Sequence, residues 1–166
     1  TSTKKIKSLI DRNKKILFFK RSKKSSSKFA KTELVIEEFV GKYNFDIIVL
    51  VQATNPFIKS KYIDEAIKKF KKKKYHSMMS VVKSKDFLWS DTMPIRAINY
   101  DFQKRKMSQK FKGHLIENGS FYIFYKTNFL KFKNRLHGKI GFYEMPKESL
   151  HEIDDYQDLK IIRKLI

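Results

Sequence analysis

Two carboxylates near the end of the sequence are separated by one apolar residue, in the tripeptide Glu152, Ile153 and Asp154. On an extended segment this alternation places both carboxylates on one side of the backbone. Two convergent carboxylates suit a hard divalent cation that also binds phosphate oxygens, which is the usual arrangement for Mg²⁺. The alternative is that both acids cap the N-terminus of a following helix, where negative charge interacts favourably with the helix dipole. We assign that role to Asp155 and Asp158. The residues themselves leave both interpretations of Glu152 and Asp154 open.

This acidic segment contrasts with a strongly basic chain, which has 38 Lys and Arg against 17 Asp and Glu and a net charge of +21. Lysine runs such as "KKFKKKKY" (68–75) fit nucleic acid, an anionic membrane or a small polyanionic substrate. The alternative is a compositional bias that leaves solvated helix faces, so charge alone does not decide the partner. The absence of cysteine excludes disulfides and thiolate chemistry and suits a reducing compartment. No apolar run approaches a membrane span, and no signal peptide opens the chain.

The elements that position these acids follow from hydrophobic periodicity. Strands are predicted at 16–19, 46–52, 77–83, 121–126 and 141–145. Four helices are predicted, the first at 4–13. The second follows a capping Thr32 and has Gly41 just beyond its end, and the third begins at Ser60 with Asp64 and Glu65 in its first turn. The fourth lies at the C-terminus and carries Leu159, Ile162 and Leu165. The run 46–52 is almost continuously apolar, which is typical of a central parallel strand covered on both faces. The alternation predicts right-handed crossovers in one α/β domain over 1–166. Residues 86–116 are polar and irregular and predict an inserted arm.

Polar residues that follow the predicted strands are further candidates for a site. Ligands of open α/β sheets gather at the carboxyl ends of strands, where Gln52 lies. Simple turn capping is the alternative for Gln52, and the pattern by itself favours it. Asn118 and Gly119 precede an aromatic strand, which is also a common hairpin signal. The chain has no G-x-G-x-x-G or Walker loop, and its histidines show no metal-ligand spacing.

These segments, in this order, resemble the CMP-sialic acid synthetases, the acylneuraminate cytidylyltransferases. The resemblance covers nearly the whole chain. Its motifs are Ser2 with Thr3, "DIIVLVQATNPF" (46–57), "SVV…W" (80–89), "ENGSFYIF" (117–124) and "YEMPKESLHEIDDYQDL" (143–159). The resemblance implies a three-layer Rossmann-like nucleotidyltransferase sandwich, with a mostly parallel sheet and an inserted dimerisation arm. It also implies transfer of CMP from CTP to a sialic-type sugar acid, with release of pyrophosphate.

The family's functional residues carry over by motif. Glu152 and Asp154 correspond to the carboxylates that hold Mg²⁺ and act in catalysis, with Glu152 replacing an Asp. The sugar-acid site is assigned to Gln52, Gln109, Asn118, Tyr122, Phe142 and Tyr143. Met107 and Ser108 stand where relatives usually have Arg. Lys4 follows the Ser2–Thr3 motif at a position where the family often has Asp.

The resemblance also sets expectations about the molecule as a whole. The motifs begin at the family's second strand, so we expect the N-terminal strand and the loop that grips CTP phosphates to be missing, and little activity from this chain alone. We expect a cytoplasmic homodimer with no membrane and no specific nucleic-acid partner. The alternatives are a basic nucleic-acid-binding module that uses Lys with Tyr and Phe, and a degenerate, non-catalytic member of the family.

Overall fold

The computed structural model describes residues 16–166, so the predicted helix at 4–13 and the Ser2–Thr3 motif lie outside the described residues. The chain divides into two compact units, Thr1–Phe45 and Asp46–Ile166. Within residues 16–166, no helix has both the length and the apolar character needed to cross a bilayer. The prediction of a single domain over 1–166 stays a prediction.

The described part of the first unit contains one helix, α1 (Thr32–Val40), with Gly41 just beyond its end as predicted. The predicted cap is wrong, because Lys31 occupies the N-cap position, no side chain caps the helix, and Thr32 is its first residue. The strand predicted at 16–19 is also wrong, since this run has no regular structure. Its Phe19 packs edge-on against Phe39, with ring centroids 5.5 Å apart. Phe19 therefore packs against the helix, and the run forms no strand.

The second unit is built on a four-stranded sheet of β1 (Ile47–Val51), β2 (Ser77–Ser84), β3 (His114–Tyr125) and β4 (Ile140–Glu144). The strand order is β1-β3-β2-β4. Strand β3 is antiparallel to both of its neighbours, whereas β2 and β4 are parallel, so the prediction of a mostly parallel sheet is wrong for the strands of residues 16–166. The central position predicted for 46–52 is wrong within the described residues, because β1 lies at the sheet edge beside an antiparallel strand. Apolar periodicity identifies a strand but does not specify its neighbours.

Four helical segments complete this unit: α2 (Ser60–Lys72), α3 (Lys126–Phe132), a short 3₁₀-helix (Lys147–Leu150) and α4 (Tyr156–Ile162). Helix α2 connects β1 to β2. The predicted placement of Asp64 and Glu65 in its first turn is wrong, because no acid lies in that turn. Helix α4 ends at Ile162, so Leu165 lies beyond it.

The core of the second unit lies between α2 and the sheet. Ala66 and Phe70, from the predicted apolar stripe of α2, are fully buried against Met78, Phe121 and Ile123. Burial of these side chains supplies the main stabilisation of the unit. The aromatic residues of β3 are thus core residues. They are not available for stacking on bases, as a nucleic-acid-binding module would require.

Strand β3 departs from the prediction in length and in shape. It begins at His114 and so includes the last three residues of the predicted arm. Asn118 and Gly119 lie inside the strand and form no hairpin. Met79 pairs with Tyr122 and Val81 with Glu117, so residues 118–121 face Ser80 alone. Such an irregularity bends a strand and redirects its side chains.

The segment between β2 and β3 is irregular, as predicted for the arm, apart from one bridge between Trp89 and Ala97. Phe87 contacts Tyr100 and Phe111, with ring centroids 4.5 and 4.9 Å apart. The Arg105 guanidinium lies 4.3 Å from the centre of the Phe87 ring. The segment therefore has a small aromatic cluster of its own.

Candidate active site

A cavity of about 570 Å³ opens where three parts of the second unit meet. These parts are the end of β1, the irregular stretch of β3, and the chain between the 3₁₀-helix and α4. Its lining consists of Gln52, Ile116, Glu117, Asn118, Gly119, Leu150, His151, Glu152, Asp154 and Asp158. This is the carboxyl end of β1, where α/β sheets place their ligands.

A backbone hydrogen bond fixes the segment that carries Glu152 and Asp154. The Ile153 N–H donates to the Thr54 carbonyl oxygen at 2.9 Å, which ties this segment to the loop after β1. Because side chains alternate along an extended backbone, this anchor at the middle residue leaves the flanking carboxylates on the cavity side. Both carboxylates line the cavity, as the spacing predicted.

The capping of α4 is carried out by other acids, as predicted. Asp155 Oδ1 accepts the N–H groups of Gln157 and Asp158, at 2.7 and 2.9 Å. Asp158 Oδ2 accepts the N–H groups of Asp154 and Asp155, at 3.0 and 3.1 Å. Together these bonds form a capping box. Within residues 16–166 the carboxylates of Glu152 and Asp154 make no capping hydrogen bond, so the capping alternative does not describe them.

The Glu152 carboxylate lies in an unfavourable electrostatic environment. Burial, followed by the nearby charge of Asp154, raises its pKa above the ordinary value. Among the described residues, no Lys or Arg lies within ion-pair distance of either acid. The ionised form of Glu152 is therefore not compensated by this part of the chain. A bound cation would provide that compensation.

Gly119 allows Glu152 and Gln52 to approach each other. Its φ is +63°, a region that favours glycine. A Cβ atom at this position would lie 2.3 Å from Glu152 Oε1 and 2.9 Å from Gln52 Oε1. The missing side chain thus leaves space for a carboxylate oxygen and an amide oxygen to converge above the irregular stretch of β3.

Two carboxylates that face one cavity fit a divalent cation such as Mg²⁺ that takes its remaining ligands from outside the protein. Within residues 16–166, no group of three or more Asp, Glu or His side chains is arranged to hold a metal. Mg²⁺ usually keeps several waters and binds one or two carboxylates together with substrate phosphates. Glu152 and Asp154 match that pattern, and a closed all-protein metal cage is not formed here.

Asn118 has mainly a structural role within the site. Its buried side-chain amide donates to Ser149 Oγ at 2.8 Å. Asn55, also buried, donates to the carbonyl oxygens of Asn118 and Ser149, at 3.3 and 2.8 Å. These bonds connect β3, the loop after β1 and the 3₁₀-helix. Replacing either Asn with an apolar residue would leave buried polar groups unsatisfied, which costs about 1–3 kcal/mol for each group.

Glu117 lines the cavity and is a residue that the sequence reasoning missed. The Tyr122 hydroxyl donates a short hydrogen bond to Glu117 Oε1. Burial and this bond raise the pKa of Tyr122, so its phenol stays protonated. The position of Glu117 directly before Asn118 and Gly119 was the available signal.

Four predicted site residues do not line this cavity: Gln109, Tyr122, Phe142 and Tyr143. Gln109 is exposed in the irregular segment before β3. Phe142 and Tyr143 lie on β4, at the opposite end of the strand order from β1. Lys69 Nζ lies 4.6 Å from the centre of the Phe142 ring, and Tyr143 donates to Glu65 Oε2 at 2.5 Å. The cavity thus brings together Gln52, Asn118, Glu152 and Asp154, and Tyr122 contacts it through Glu117.

Comparison with known structures shows the same fold class. The chain is similar to 4-diphosphocytidyl-2C-methyl-D-erythritol synthase from Anaerococcus prevotii, with a TM-score of 0.57 and 13% sequence identity. The similarity covers 82% of this chain and 66% of that one. At this identity the match supports a mixed α/β fold and carries no inference about substrate.

Comparison of sequences places the chain in a family. The family model described as cytidylyltransferase matches residues 1–165. N-acylneuraminate cytidylyltransferase B of Danio rerio is 33% identical over 140 residues, which are 80% of this chain and 32% of that protein. The enzyme of Oncorhynchus mykiss is 32% identical over 114 residues, or 66% of this chain and 26% of that protein. The chain thus spans about a third or less of these relatives. The resemblance found in the motifs is confirmed, and the chain belongs to the cytidylyltransferase family.

Proposed function

We propose that this protein is a cytidylyltransferase that transfers CMP from CTP to a sialic-type sugar acid and releases pyrophosphate. The observation that carries the proposal is the pair Glu152 and Asp154. Neither acid caps α4, and both face a cavity beside Gln52 at the carboxyl end of β1. The family match and the printed names of the relatives support the substrate class.

In the proposed reaction a hydroxyl of the sugar acid attacks the α-phosphate of CTP. Glu152 and Asp154 would hold Mg²⁺, which when bound withdraws negative charge from phosphate oxygens. The Gln52 amide can donate and accept hydrogen bonds and thereby orients the sugar acid. The buried bonds of Asn55 and Asn118 keep the cavity wall in place, so that the hydroxyl is held in line with the phosphorus.

We extend the proposal to the assembly and location of the protein. Exposed apolar side chains on the segment within 86–116, among them Trp89, Met93 and Phe102, support its role as a dimerisation arm in a homodimer. We also propose a cytoplasmic location, since a cysteine-free sequence suits a reducing compartment. A three-layer Rossmann-like sandwich is the architecture that we propose around the sheet.

The test measures pyrophosphate release and CMP-sugar formation by the full-length protein with CTP, Mg²⁺ and N-acetylneuraminate. We expect turnover that requires both substrates. Glu152→Gln should reduce it strongly, because the amide has no charge to hold the cation. Glu148→Gln is the matched control, since Glu148 is exposed in the same acidic segment and does not line the cavity. Absence of turnover that depends on the sugar acid would contradict the proposal.

A further inference from the structure

Glu117 differs from the other acids of the cavity in what holds it. Asp158 binds backbone N–H groups at the start of α4. Glu152 and Asp154 lie close enough for the charge of Asp154 to raise the Glu152 pKa. In contrast, Glu117 accepts a hydrogen bond from the Tyr122 hydroxyl through Oε1. Among the described residues, Glu117 Oε2 has no hydrogen-bond partner, and the side chain lines the cavity.

Glu117 is placed differently from the two candidate metal ligands. Within residues 16–166 it does not form, with Glu152 and Asp154, a group of three carboxylates arranged to hold a metal. One of its oxygens is already committed to a neutral O–H donor. A carboxylate in this state is well suited to accept a second neutral donor, such as a hydroxyl group, through its other oxygen.

Tyr122 holds Glu117 in a fixed orientation. Its side chain is almost completely buried, and its ring packs beneath Arg135, whose guanidinium carbon lies 4.6 Å from the ring centre. A ring fixed in this way presents its hydroxyl in one direction. Glu117 therefore faces the cavity at little cost in side-chain entropy when a ligand binds.

We propose that Glu117, oriented by Tyr122, binds hydroxyl groups of the sugar acid and is a specificity-determining residue. This inference rests on the proposed function and deepens it. The sugar acid carries a carboxylate that Glu117 repels and several hydroxyls that it attracts. The hydroxyl-bearing part of the sugar therefore lies against Glu117, and its carboxylate points away from that wall. Tyr122 acts through Glu117 and is a positioning residue.

The experiment compares kcat/KM for the sugar acid and for CTP in the full-length protein. A hydrogen bond to a charged group contributes enough for its loss to lower kcat/KM by about 10- to 100-fold. We expect Glu117→Gln to show that loss for the sugar acid, with the KM for CTP within about twofold of wild type. Tyr122→Phe should show a smaller loss in the same parameter. Glu144→Gln, on the exposed part of β4, is the matched control and should behave as wild type.

Sugar acids that each lack one hydroxyl give the decisive measurement. Wild type should discriminate against one of them by about 10- to 100-fold, because a site built for a hydroxyl rejects its absence. Glu117→Gln should lose most of that discrimination. The inference is overturned if Glu117→Gln discriminates as wild type does or if wild type rejects none of the analogues. It is also overturned if the variant loses kcat/KM for CTP and for the sugar acid to the same extent. A wild type without CMP transfer would instead refute the proposed function.

Discussion

Replacing Gly119 with alanine tests whether the irregular stretch of β3 sets the geometry of the site. The native φ of +63° is unfavourable for an L-residue by about 1–2 kcal/mol. In addition, the new Cβ would lie 2.3 Å from Glu152 Oε1, roughly 1 Å closer than an ordinary contact allows. Since the neighbouring atom is the end of a side chain, we expect the Glu152 carboxylate to move away rather than the strand to unfold.

Two consequences follow for Gly119→Ala, and they are separable. The backbone cost should lower the Tm by roughly 2–8 °C in a chain of this size. The displaced carboxylate should lower kcat/KM by about 10²-fold, the usual effect of a 1 Å misplacement at a catalytic site. Thermal unfolding followed by circular dichroism measures the first effect, and steady-state pyrophosphate release measures the second.

Two other glycines provide matched controls. Gly138 has a φ of +60°, and a Cβ there would lie 2.3 Å from His76 Nδ1, away from the lining of the cavity. Gly138→Ala should therefore lose similar stability and keep its activity. Gly41 has a negative φ, and a Cβ there would lie 3.6 Å from the Glu37 carbonyl oxygen, an ordinary contact, so Gly41→Ala should be neutral or slightly stabilising. If Gly119→Ala retains activity within about twofold of wild type, or loses no more than Gly138→Ala, the role assigned to Gly119 is wrong.

Three further predictions concern the metal, the last helix and the arm. Asp154→Asn should remove most turnover and leave the Tm within about 2 °C, because an amide cannot supply the charge that holds Mg²⁺; near-normal kcat at saturating Mg²⁺ would exclude the ligand role. Asp155→Ala should reduce the free energy of unfolding by about 1 kcal/mol through loss of the α4 cap, measured by urea denaturation; an unchanged midpoint would contradict it. Met93 and Ile98 are 84% and 63% exposed, so changing both to Ser should dissociate the proposed homodimer in sedimentation velocity, whereas Phe29→Ser, at an exposed site in the other unit, should not. Identical monomers for wild type and variant would exclude the arm as a dimer contact.

Several features of this protein were determined by the sequence alone because they depend on neighbours along the chain. The spacing of Ala66 and Phe70 identified the buried face of α2, and the apolar run at 46–52 identified β1. The capping of α4 by Asp155 and Asp158 was predictable because a capping box involves residues three positions apart. These interactions form within one turn or one strand, and periodicity therefore records them.

The tertiary structure alone decided how distant segments meet. The antiparallel insertion of β3 between β1 and β2 was not predictable from apolar patterns, which do not specify strand neighbours. Asn118 and Gly119 likewise suggested a hairpin, whereas pairing of the residues on either side of them keeps them inside β3. The approach of Gln52 and Glu152 across Gly119 depends on that pairing and on the bond from Ile153 to Thr54. Because these contacts join residues far apart in the sequence, no local pattern encodes them, and only the folded chain shows Glu117 in the same cavity.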